Sequence, residues 1–159
     1  MDIERSETAV SIAAKLRRAP LRVASGAFIL NSGLTKLKAD EETSQGLHGF
    51  ATGTYPFLKR IPASSFAKVL GAGEVLVGGI LLAPMVPAGL AGLTLAGFAS
   101  GLLGLYVKTP GMHDGKMRPT QAGTPIAKDS WLVAIGTGLV LDAVTTREKK
   151  VVKVKAGKD

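Results

Sequence analysis

Apolar positions are concentrated in two runs that lie back to back. From Val69 to Val107 the only charged residue is Glu74, and the stretch is broken once, at Pro84-Met85-Val86-Pro87. A helix needs about 20 apolar residues to cross a hydrocarbon core of about 30 Å. The pattern therefore predicts two spanning helices, about 68–84 and 88–107, joined by a tight proline turn. Shorter apolar segments flank them. One covers about 21–37, interrupted by Arg22, Asn31 and Lys36; the other covers about 130–144 and carries Asp142 near its end. Together they predict an all-α membrane protein, an antiparallel four-transmembrane-helix bundle over residues 21–144. In the first outer loop Asp40-Glu41-Glu42-Thr43 reads as solvated chain. The mixture of apolar and small residues from Gly46 to Lys59 predicts a short interfacial helix before Pro56.

Four spans put both tails on one side, and basic residues favour the cytoplasmic face. Residues 1–20 form a basic segment in which Ala9, Ile12, Ala13 and Leu16 make an apolar stripe beside Lys15, Arg17 and Arg18. Such a segment lies on a membrane surface, and Pro20 is expected to end it. Residues 145–159 are a polybasic tail that includes Lys149, Lys150, Lys153 and Lys155. The expectation is a multi-pass membrane protein with both termini cytoplasmic. Tyr55, Phe57, Phe66, Tyr106 and Trp131 then fall at the outer interface as an aromatic belt. The first 20 residues mix acidic and basic groups and lack an apolar h-region, so they do not read as a cleavable signal.

Composition narrows the chemistry. A net charge of +8 is what cytoplasmic tails and anionic lipid call for, at about 1 kcal/mol per basic residue near the surface, so no nucleic-acid partner is implied. Cysteine is absent, which excludes disulfides, thiolate metal sites and CxxC redox chemistry. The only histidines, His48 and His113, fall one in each outer loop without ligand spacing, so no metal site is expected. No phosphate-binding loop, dinucleotide fingerprint or catalytic triad is present. The sequence thus offers no catalytic residue and no cofactor of its own.

What remains is a set of polar groups at membrane depth, where charge is costly and tends to be paired inside a bundle. Glu74 lies roughly 9 Å below Lys68 at a rise of about 1.5 Å per residue. Lys36 comes to a similar depth on the first span, so a Lys36–Glu74 ion pair is predicted, with Asn31 as a further hydrogen-bond partner. At the inner end, Arg22 and Asp142 match in depth and are predicted to pair. Two readings of Glu74 stand beside partner contact: it pins helix register, or it lines a polar pocket for a quinone head, a lipid head or a proton. The third span also carries small residues four apart, Ala88, Gly92, Ala96, Ser100 and Gly104. Such a stripe serves close helix packing or a partner protein.

Several of these residues together resemble the DoxX family of small bacterial membrane proteins. The run Arg22-Val-Ala-Ser-Gly26-Ala-Phe28-Ile-Leu-Asn-Ser-Gly33-Leu34-Thr-Lys36-Leu37 is similar to that family's opening helix. Gly49-Phe50-Ala51 and Ile61-Pro62 resemble its interfacial loop, and Lys68-Val-Leu70-Gly71-Ala-Gly-Glu74-Val-Leu-Val-Gly78-Gly79 resembles its second helix. The resemblance covers roughly residues 20–142. It implies four membrane helices, with Lys36 and Glu74 as family-type polar residues. It also implies membrane oxidoreductase assemblies, including thiosulfate–quinone enzymes, as a setting.

Two functions are therefore expected. The first is a non-catalytic accessory subunit of a larger bacterial membrane complex, a respiratory supercomplex, with other integral membrane subunits and anionic lipids as partners. The second is a quinone-linked oxidoreductase subunit that binds quinone or a sulfur compound near Glu74. A transporter fits least, because no inverted repeat is visible.

Overall fold

The computed structural model describes the backbone of residues 2–156 and the side chains of residues 12–146. Among the described residues the secondary structure is helical, apart from one isolated bridge between His113 and Pro119. The elements in order are α1 (Asp2–Leu37), α2 (Glu41–Thr54), short 3-10 turns at Pro56–Arg60 and Ala63–Ser65, α3 (Phe66–Leu82), α4 (Ala88–Lys108), α5 (Thr124–Ala127) and α6 (Asp129–Ala156). The side chains of the basic tail, Lys149, Lys150, Lys153 and Lys155, lie outside the described residues.

Glycine decides which helices meet. A Cβ built on Gly33 would stand 2.7 Å from the Gly71 carbonyl oxygen, and one on Gly71 would stand 2.8 Å from that of Gly33. α1 and α3 therefore touch backbone to backbone. α4 and α6 do the same: a Cβ on Gly92 would lie 2.5 Å from the Gly136 oxygen, and one on Gly136 would lie 2.6 Å from the Ala96 nitrogen. The molecule is thus two close helix pairs, α1/α3 and α4/α6. Ile29, Val77, Leu81, Ala91, Leu95 and Leu139 close the seam between them as one buried cluster. Small residues matter most where helices gain little from burying apolar groups against each other.

The expected third-span stripe is accounted for by this packing. Ala88 and Gly92 are buried, and Ala96 faces Gly136. A Cβ on Gly104 would collide with the Tyr55 hydroxyl. Only Ser100 of the five is exposed. Four of the five stripe residues therefore pack within the chain.

Three features differ from expectation. Helix α1 does not stop at Pro20; the proline sits inside it. Proline removes one backbone donor and crowds the preceding turn. Here side chains on both flanks hold the helix in place: Arg17 and Arg18 bind Asp142, and Arg22 binds the end of α3. The acidic run at 40–43 is a helix start, not a loop. The Asp40 Oδ1 accepts the Thr43 N–H at 2.9 Å, and Glu41 and Glu42 occupy the first turn of α2. Those bonds hold the Asp40 carboxyl below its ordinary range. The aromatic belt is only partial: Phe57 and Trp131 are exposed, whereas Phe66 and Tyr106 are buried. Phe66 packs edge-on against His48, and the Tyr106 hydroxyl donates to the Met117 carbonyl.

Two helices, Ala63–Leu82 and Ala88–Lys108, are long and apolar enough to cross a membrane. Only 39% and 33% of those windows are buried, so most of their apolar surface faces outward.

Candidate functional site

A cavity of about 430 Å³ opens in the seam, at the end of the bundle away from the proline turn. α1 contributes Phe28, Ser32 and Lys36; α3 contributes Leu70 and Glu74; α4 contributes Phe98, Leu102 and Leu105; α6 contributes Asp129 and Leu132. Helix α2 lays Phe50 and Ala51 across it. Ser44 fastens that cover: its hydroxyl donates to the Ala63 carbonyl at 2.6 Å and accepts the Ala67 N–H at 2.9 Å. The volume lies toward the small end of the range for small-molecule sites, about 300–1,000 Å³, which are mostly apolar with a few convergent polar groups.

The polar end is built by the glycine contact. Because α1 lies on Gly71, the Lys36 stem passes directly over that glycine, 3.0 Å from where its Cβ would be. Glu74 stands one turn further along α3, and the Lys36 Nζ donates to its Oε2 at 2.9 Å. Glu74 is buried, with a side-chain exposure of 6%. The same Nζ donates to the Ser32 Oγ at 2.7 Å, a contact along one helix face at i and i+4.

Asn31 does not take part. It points to the exposed side of α1, and its backbone oxygen accepts from the Thr35 hydroxyl. A residue five positions from Lys36 lies on another face; Ser32, at four, was the position that the helical period favoured.

The expected Arg22–Asp142 pair is not formed. The Arg22 guanidinium turns toward α3 and donates to four carbonyls, Leu81 at 2.7 Å, Ala83 at 2.7 Å, Val86 at 2.9 Å and Ile80 at 3.1 Å. These include carbonyls at the helix end that lack helical partners, which a planar fork of donors suits. Asp142 instead accepts from Arg17 at 2.8 Å and Arg18 at 2.5 Å. Depth matching placed both residues at one level but ignored their direction around the helix.

Asp129 was not singled out by the sequence and is the site's third ionisable group. It opens α6, faces the cavity, and forms no hydrogen bond or ion pair among the described residues. It shares the cavity wall with Glu74 and Lys36. The available signal was modest: an acid just before Trp131 and an apolar run is a helix first-turn residue.

Among the described residues no group of three or more His, Cys, Asp or Glu could hold a metal. His48 and His113 stand apart from the cavity wall, His113 bound to the Val107 carbonyl and the Gly115 N–H. Comparison with protein-family models, curated proteins and solved structures produces no match.

Proposed function

We propose that the chain is a multi-pass bacterial plasma-membrane protein of DoxX type that seats a quinone head group in the seam cavity. In this reading α1, α3, α4 and α6 all cross the bilayer, and both termini are cytoplasmic. The apolar parts of α1 and α6, about residues 21–37 and 130–144, cover about 26 Å and about 23 Å, and the helical turns that flank them make up the rest of a core of about 30 Å. Exposed Leu76, Leu90, Leu93 and Leu141 would meet lipid. The observation that carries the function is the cavity: an apolar slot, with Lys36, Glu74 and Asp129 gathered in its wall.

Quinone chemistry also needs an electron source. The chain has no cysteine, and both histidines lie outside the four spans. In this reading the electrons come from a neighbouring subunit, and the protein acts as a non-catalytic member of a respiratory or related oxidoreductase assembly. The resemblance of the α1 and α3 segments to the DoxX family supports the same setting.

The test is purification of an N-terminally tagged chain in mild detergent, with solvent extraction of the product. Near-stoichiometric quinone, together with oxidoreductase subunits, is the expected result. Recovery of the chain alone, without quinone, overturns the proposal. Release of the chain by alkaline carbonate washing overturns its membrane-spanning part.

A further inference from the structure

Taking the quinone reading as its premise, we infer that Asp129 is the residue that hydrogen-bonds the ligand, and that it selects a neutral carbonyl acceptor over a sulfur oxyanion. The other two ionisable groups are already engaged. Lys36 is bound to Glu74 and Ser32, and Glu74 is almost fully buried behind that bond. Asp129 lines the same cavity with no bonding partner among the described residues.

The charge around it is countable. α1 presents Lys36 and α3 presents Glu74. The residue just after α2, Tyr55, has its hydroxyl taken up by the Gly101 carbonyl. The walls from α4 and α5, including Phe98, Leu105 and Ile126, carry no titratable group. Lys128, next in sequence, is exposed.

Lys36 and Glu74 cancel, so the site is neutral when Asp129 is protonated and carries one negative charge when it is ionised. It offers an oxyanion such as thiosulfate no net attraction in either state. A neutral carboxyl instead donates its O–H to a carbonyl oxygen, and donation ends when it ionises.

The experiment is equilibrium dialysis of menadione, a quinone that does not titrate, against the full chain in nanodiscs, with empty nanodiscs as the blank. Affinity is expected to be greatest at acid pH and, once Asp129 ionises, to fall by up to about tenfold per pH unit. D129N keeps a donor but cannot ionise, so its affinity should be independent of pH. D129L should bind about tenfold more weakly at pH 5, and thiosulfate should not compete. A pH-independent wild type, D129L binding like wild type, or displacement by thiosulfate would overturn the inference while leaving quinone binding in place. Menadione retained no better than by empty nanodiscs at any pH would overturn the quinone reading itself, and this inference with it.

Discussion

Replacing Lys36 by Met removes the ammonium but keeps a flexible stem lying over Gly71. Glu74 then faces the cavity with no cation bonded to it. Removing one partner of a buried ion pair costs about 3–5 kcal/mol, because the other charge is left uncompensated. The Lys36 side chain keeps 23% of its exposure against 6% for Glu74, so the lower end applies, about 3 kcal/mol. For a chain of this size each kcal/mol moves the thermal midpoint by about 2–4 °C, so K36M should melt about 6–12 °C below wild type. The assay is thermal unfolding in dodecyl maltoside at pH 7.5. The double variant K36M/E74L removes both charges and should recover most of the loss. A midpoint for K36M within about 2 °C of wild type would show that the pair carries no stabilising energy, and the account of the polar end would fall.

Gly92→Ala should destabilise by about 1–3 kcal/mol, since the new methyl meets the Gly136 backbone; Gly97→Ala, where a Cβ meets open space, should be near neutral in the same melt. Arg22→Lys keeps the charge but not the fork, so it should cost about 2 kcal/mol and speed proteolysis within residues 83–87; equal cleavage rates would refute the bracing role.

The chain announces its apolar architecture more clearly than its chemistry. α3 and α4 were legible to within two residues because one apolar run is cut by paired prolines, a signal that tertiary contacts do not disturb. The Lys36–Glu74 bond was reachable from depth alone, since α1 and α3 are neighbours and a lysine stem tolerates error. Depth failed for Arg22 and Asp142, because rotation about the helix axis sends one to α3 and the other to Arg17 and Arg18. Asn31 failed for the same reason at closer range. Asp129 stayed hidden in a loop-like stretch beside Lys128; only the folding of α5 and α6 turns it toward Glu74. α2 as a cover over the cavity depends on Ser44 bonding across to Ala63 and Ala67, a tertiary contact with no local sequence mark.

The Arg22 brace has one more implication. It clamps the α3–α4 corner, and the plug of Ile29, Val77, Leu81 and Leu95 lies between that corner and Glu74. The seam is therefore packed shut between the slot and that corner. On the proposed membrane-spanning reading, a slot closed at that end trades a bound head group or a proton with one face of the bilayer.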